Sequence, residues 1–200
     1  LKFNKAIVNA TFDLAVAYKP NLGFYEALGS SGIVALERTV EYIRKVDPSM
    51  VILADAKRGD MGATNSVYAK ALFETWDFDA ATVNCYTGGE ALDPFLEYDT
   101  KGVFVLCHSS NPGASEFQDL QLSEAGNASF GKGGSPRLYE LVARKAVQWN
   151  RNSNVGLVVG ATYPEQLKSV RSLCPNMPIL VPAVGAQKGD LKEAVLSGVD

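Results

Sequence analysis

The sequence predicts a parallel α/β fold, a (β/α)8 TIM barrel with six of its eight strands present, and three observations carry that expectation. Six apolar runs are continuous rather than alternating, as strands covered on both faces are. Stretches with helical spacing separate them, which suits crossover helices on a parallel sheet. No G-x-G-x-x-G follows any of the runs, so a dinucleotide-binding sheet does not fit. With 46% of its 200 residues hydrophobic, the chain can bury a core as one domain over 1–200. It opens on a helix and stops at Val199-Asp200, where another strand falls due, so the first and last strands are expected to be missing.

Taken in order, residues 2–12 place Phe3, Ile7 and Ala10 at helical spacing, and Leu14 to Lys19 reads as a short buried strand closed by Pro20. Ile33, Leu36, Val40 and Ile43 form the stripe of an amphipathic helix that stops near Asp47-Pro48, and the strand 51–57 follows. Another helix begins at Met61 with Val67, Ala71, Phe73 and Trp76 inward. Residues 80–85 read as a strand, 91–97 as a short helix interrupted by Pro94, and 102–107 as the clearest strand of all.

Residues 121–137 are rich in glycine and serine and read as a loop. The spacing from Gly126 to Lys132 imitates a phosphate loop, but Gly133 stands where Ser or Thr should bind magnesium, and no strand leads in. Leu138, Leu141, Val142, Lys145, Ala146 and Trp149 mark a helix. The strand 155–160 leads to a helix start at Thr162-Tyr163-Pro164-Glu165, a capping-box arrangement, with Leu167, Val170 and Leu173 facing inward. The last strand is 178–182, and beyond the loop 184–190 Asp190 is placed to cap a helix over 191–198.

Net charge of -3 and a pI near 5.3 argue against a broad nucleic-acid footprint. Cys85, Cys107 and Cys174 show no C-x-x-C spacing and the chain has one His, so neither a disulfide framework nor a zinc site is indicated. A reducing cytoplasm fits this cysteine usage. No apolar run approaches the roughly 18 residues of a membrane span.

Chemistry-bearing residues collect where the strands end: Lys19 and Asn21, then Asp55, Lys57 and Asp60, then Ser109 and Ser110, then Gln187. In a parallel barrel these gather at the carboxyl face, where such folds keep their active sites. Asp55 and Lys57 are two apart in a strand, so they share a face. Lys19 could also simply cap its strand, and Ser109 and Ser110 could be ordinary turn formers. Asn84 reads as satisfying backbone groups, His108 as a packed or loop histidine rather than a base, and the cysteines as core fillers. Arg58-Gly59-Asp60 matches an adhesion tripeptide too short to carry weight.

Five motifs stand in order along the whole chain: Tyr18-Lys19-Pro20-Asn21 with Phe24-Tyr25-Glu26, Asp55-x-Lys57-x-x-Asp60-Met61-x-x-Thr64, Thr82-Val83-Asn84, Ser110-Asn111-Pro112-Gly113, and Gly185-Ala186-Gln187-Lys188-Gly189-Asp190. In these the chain resembles the orotidine 5'-monophosphate decarboxylases, most closely the bacterial branch whose motif runs K-P-N. The resemblance implies a network of alternating charges from Lys19, Asp55, Lys57 and Asp60, with Asp60 and Thr64 reaching into the partner's site in a homodimer. It implies that Asn21 meets polar groups of the nucleotide substrate, Ser110 its pyrimidine amide, Pro182 the site wall and Gln187 the phosphate. It implies no cofactor and no metal.

The residue types suit that reaction. Loss of carbon dioxide from C6 leaves an anion without an obvious electron sink, which a fixed ammonium stabilises. On this resemblance Lys57 would supply that charge and then the proton. Three departures stand out. The family's ribose-binding aspartate lies on a strand before this chain starts, its phosphate-binding arginine lies on a strand after it ends, and Pro182-Ala183-Val184-Gly185 replaces the usual Pro-Gly. The alternatives are a magnesium-dependent sugar-phosphate synthase or keto-acid decarboxylase of the same barrel, which wants an acidic ligand where Lys19 stands, and an inactive fragment keeping the fold.

Overall fold

Leu36, Val40 and Ile43 are buried along one face of a helix that ends at Asp47, where the approach to Pro48 forces extended backbone. The same logic runs through the computed structural model, which describes residues 1–123, 135–185 and 189–199. Contacts group the chain into two units, 1–103 and 104–200. The first runs α1 (Lys2–Thr11), β1 (Ala17–Tyr18), α2 (Leu22–Glu26), α3 (Gly29–Val46), β2 (Val51–Arg58), α4 (Gly62–Lys70) with one π-type turn at Ala71–Thr75, β3 (Ala80–Val83) and α5 (Asp93–Leu96). Strand β4 (Gly102–His108) crosses the boundary. The second unit continues with a 3-10 turn at Pro112–Glu116, α6 (Leu138–Trp149), β5 (Val155–Val159), α7 (Pro164–Leu173), β6 (Ile179–Leu180) and α8 (Leu191–Gly198).

The strands neighbour one another in sequence order, β1-β2-β3 in the first unit and β4-β5-β6 in the second. Ala17 lies opposite Val51 and Leu53 opposite Ala80, both pairs parallel, and Leu157 lies opposite Ile179 in a third parallel pair. This is the expected parallel α/β architecture with six strands and crossover helices. In the first unit Ile52, Leu53, Ala54, Ala81 and Val83 of the strands are buried, as are Leu36, Val40 and Ile43 of α3. In the second, Val105, Val155, Leu157 and Val159 are buried with Leu167 and Val170. Each large aliphatic side chain buried this way contributes about 1.5–3 kcal/mol.

Several expectations are corrected. Phe3 of α1 is 74% exposed and Ile7 and Ala10 also face outward. The inward face is Asn4, Val8 and Thr11: Asn4 Nδ2 donates to Tyr25 Oη and Thr39 Oγ1, and Thr11 shares a hydrogen bond with Tyr18 Oη. Polar anchoring, invisible to an apolar count, sets the rotation of that helix. The strand expected from Leu14 is reduced to Ala17–Tyr18, because Leu14 and Ala15 still donate backward to the Thr11 carbonyl, and Val16 is left 90% exposed.

Along α4 the inward residues are Asn65 and Ala69, continued by Leu72 and Phe73, while Val67 faces outward. Pro94 opens α5 instead of interrupting it. On α6 the buried positions are Tyr139, Ala143 and Ala146, and Lys145 is exposed. Thr162 does not cap α7: its hydroxyl donates to the Ser110 carbonyl at 2.9 Å. The last strand shrinks to Ile179–Leu180 between prolines, whereas Asp190 caps α8 as expected, its Oδ1 accepting from Glu193 N–H. Of the 121–137 loop, Gln121 and Arg137 form an antiparallel bridge, and residues 124–134 lie outside the described residues.

Candidate active site

Asp55 sits near the carboxyl end of β2 and is 8% exposed. Its N–H donates to the Pro20 carbonyl at 2.9 Å, and Asn21 bridges to it in parallel, so the chain leaving β1 runs alongside. That pairing brings Lys19 and Asn21 beside the carboxylate. Lys19 Nζ lies 2.6 Å from Asp55 Oδ2, and Lys57 Nζ lies 2.5 Å from Oδ1. Asn21 Nδ2 reaches Oδ2 at 3.3 Å while its Oδ1 caps α2 through Gly23 N–H. Burial alone would push the Asp55 carboxyl up, but the hydrogen bonds and charges of Lys19 and Lys57 outweigh it and hold it below its ordinary value.

Regular strand alternation does not deliver Lys57 to this carboxylate. The β2–β3 register shifts between Ala54 and Arg58, and Lys57 has φ 46°, in the left-handed region that a lysine rarely occupies. The bulge turns the Ala56 and Lys57 N–H groups toward Thr82 of β3, whose Oγ1 accepts them at 3.0 and 2.9 Å. Thr82 is almost fully buried, and its Oγ1 is also 3.3 Å from Asp55 Oδ1. Leaving one such N–H unpaired costs about 1–3 kcal/mol. Sequence reading included Thr82 in a motif without giving it a task, since a threonine in an apolar strand reads first as a β-former.

Asp60 stands apart from the three-membered cluster. Its Oδ1 accepts from Met61 N–H, its backbone is clasped by both ends of the buried Asn65 amide, and it makes no ion pair among the described residues. Thr64 is half-buried in the first turn of α4. Gly59 is required immediately before Asp60, because a Cβ there would lie 2.6 Å from the Asn84 carbonyl oxygen. Asn84 accepts from Tyr86 N–H, the backbone role expected of it.

Ser110 and Pro182 belong to the second unit. The Ser110 carbonyl is held by Thr162, and Gly160 is required at the end of β5 because a Cβ there would stand 2.6 Å from Ser110 Cα. The Pro182 carbonyl accepts from Ala161 N–H at 2.9 Å. Beside it Ala183 has φ 80°, so the residue replacing the usual glycine keeps a backbone conformation that favours glycine. Gln187 lies outside the described residues. His108 is fully buried against the Tyr139 and Tyr163 rings, with Nε2 3.3 Å from Asp119, and Cys107 and Cys174 are buried. All three are packed inside the second unit, whereas Cys85, expected as a core filler too, is only half-buried.

Parallel strands alternating with helices, with a lysine-bracketed aspartate at a strand's carboxyl end, place the protein among the α/β-barrel proteins that carry their sites on that face. The family model described as Orotidine 5'-phosphate decarboxylase / HUMPS family matches residues 2–199, and the chain belongs to that family. It is 52% identical over 198 residues to the orotidine 5'-phosphate decarboxylase of Thermomicrobium roseum, covering 98% of this chain and 66% of that protein. Against the enzyme of the same name from Dehalococcoides mccartyi strain BAV1 the identity is 46% over 200 residues, covering 100% and 70%. The solved structure of Leishmania donovani OMP decarboxylase superposes with TM-score 0.87 at 36% identity, covering 98% of this chain and 72% of that one. The chain thus spans about two thirds of the length of these curated relatives. Among the described residues no helix is long and apolar enough to cross a membrane.

Proposed function

We propose that the protein decarboxylates orotidine 5'-monophosphate to uridine 5'-monophosphate, the last step of de novo UMP synthesis, with Lys57 donating the proton to C6. The single observation that carries this reading is the double grip on Asp55: two ammonium groups are held to one buried carboxylate. The C6–carboxylate bond breaks, its electron pair stays on C6, carbon dioxide leaves, and a proton passes from Lys57 Nζ to C6. An ammonium fixed beforehand near C6 stabilises the charge as it develops and needs no reorganisation at that moment. Asp55, anchored by Lys19 and the Pro20 carbonyl, keeps Lys57 in place and sits near the departing carboxylate.

The remaining roles follow the family resemblance. Asn21 meets polar groups of the substrate, Ser110 the pyrimidine amide, Pro182 the wall of the site and Gln187 the phosphate. Asp60 and Thr64 complete the partner's site in a homodimer, and the absence of an ion pair to Asp60 among the described residues supports that assignment. One family model spanning 2–199 supports a single barrel domain over both units. The reaction calls for neither metal nor cofactor, and a cytoplasmic enzyme is the fitting setting. Lys19 supports this over a magnesium-dependent sister enzyme, since a cation on Asp55 opposes a divalent metal.

The test is incubation of the complete gene product with orotidine 5'-monophosphate and excess chelator, following uridine 5'-monophosphate and carbon dioxide. Equal amounts of both products are expected. No turnover, or turnover only of a sugar phosphate or keto acid with added magnesium, overturns the reading.

A further inference from the structure

We infer that Thr82 is a positioning residue for this reaction, its hydroxyl fixing at once the backbone bulge that aims Lys57 and the orientation of the Asp55 carboxylate. The inference rests on the decarboxylase reading and adds to it a residue from the neighbouring strand. A threonine hydroxyl has two lone pairs and one proton. Here the lone pairs take the Ala56 and Lys57 N–H groups at 3.0 and 2.9 Å, and the proton lies toward Asp55 Oδ1 at 3.3 Å, nearer than the alternative Ala54 carbonyl at 3.5 Å. Both N–H groups lie where the β2–β3 register breaks. Thr82 is 1% exposed, so no solvent replaces it. The backbone at Lys57, with φ 46°, is held on its N–H side by this acceptor, and on that backbone depends the 2.5 Å approach of Lys57 Nζ to Asp55.

Among the described residues the charged groups facing Asp55 are Lys19, from the residue after β1, and Lys57, from β2 itself. From α2 the packed charge is Glu26, which is engaged with Arg58. From β3 the facing group is Thr82, which does not titrate. Loss of its donated proton therefore makes the carboxylate easier to protonate.

Thr82→Val keeps the volume and removes both functions, while Thr82→Ser keeps the hydroxyl and removes a methyl. In the complete gene product, Thr82→Val is expected to lower kcat about 10²-fold with KM within about threefold. The acid limb of its kcat profile is expected to move to higher pH. Thr82→Ser is expected to restore both the rate and the limb, whatever its effect on Tm. Binding of the product uridine 5'-monophosphate reports an intact fold, and Thr82→Cys carries the same test should the valine variant fail to fold. If the wild type turns over orotidine 5'-monophosphate and Thr82→Val matches it in rate and pH profile, the inference is wrong. Equal loss in the Ser and Val variants, or failure of all three to fold, assigns Thr82 to stability alone and overturns it as well. A wild type without activity instead defeats the parent reading.

Discussion

Lys57 Nζ meets Asp55 Oδ1 at 2.5 Å from a backbone in the left-handed region, so the pair is closed by a bulge. The two side chains differ sharply in environment: Asp55 is 8% exposed and Lys57 is 49% exposed. The carboxylate is thus the rooted member and the ammonium the accessible one. An ammonium has three donors, and one is spent on Asp55, which leaves two for a substrate. A strained backbone that holds a reactive side chain in one place is the kind of feature that a functional site retains.

Lys57→Ala is expected to lower turnover of orotidine 5'-monophosphate by about 10³-fold or more, since on the proposed mechanism one group supplies both charge stabilisation and the proton. The ammonium is half exposed, so the fold should survive, with a Tm close to that of the wild type. Chromatographic assay of uridine 5'-monophosphate against a circular-dichroism melt separates the two effects. Retained turnover removes Lys57 from its role.

Asp55→Asn tests the linkage between charge and stability. The folded carboxyl titrates below its ordinary value of 3.8, because Lys19 and Lys57 overcome the opposing effect of burial. Such a group stabilises the fold fully above its unfolded pKa and loses that contribution as pH falls through its lower folded pKa. Near neutral pH the variant should be less stable by about 1.5–3 kcal/mol, the scale of hydrogen bonds to a charged group. Below pH 3.8 the wild type should lose that advantage and the two urea midpoints should converge. A gap that stays constant with pH shows that the ionisation of Asp55 is not coupled to folding.

How far the sequence reveals these features depends on what kind of force sets each one. Strands β2, β4 and β5 are legible because a strand covered on both faces carries a continuous apolar run. The rotation of α1 is not, because Asn4 and Thr11 bond Tyr25, Thr39 and Tyr18, polar partners 7 to 35 residues further along the chain that an apolar count does not register. Lys19, Asp55 and Lys57 are legible as charges at the ends of apolar runs, where solvation alone explains them poorly. The bulge is hidden, since nothing local distinguishes Lys57 from any other strand-end lysine; only the register against Thr82, 25 residues away, exposes it.

Asp60 provides a test of assembly. Its carboxylate caps Met61 N–H and does not meet Lys57 among the described residues, so on the dimer proposal it serves the partner's site. Asp60→Ala and Lys57→Ala should each be inactive alone. When the two are mixed and allowed to exchange subunits, half of the dimers are hybrids and each hybrid holds one intact site, so about a quarter of wild-type activity should return. Mixtures that stay as inactive as their components place Asp60 in the site of its own chain.

Ala183→Gly is expected to stabilise the protein, against the usual direction for a change to glycine. The Cβ of Ala183 sits on a backbone with φ 80°, where an L residue is strained by about 1–2 kcal/mol. That conformation is imposed from both sides: the Pro182 carbonyl is bound by Ala161 N–H at 2.9 Å, and the Ala183 carbonyl by Gly189 N–H at 3.1 Å. Glycine relieves the strain but adds about 0.4–1 kcal/mol of unfolded-chain entropy. The balance favours the variant by roughly 0.5–1 kcal/mol, read as a higher urea midpoint with an unchanged m-value. A lower midpoint shows that the surrounding hydrogen bonds accommodate alanine without strain, and that the departure from Pro-Gly carries no energetic penalty.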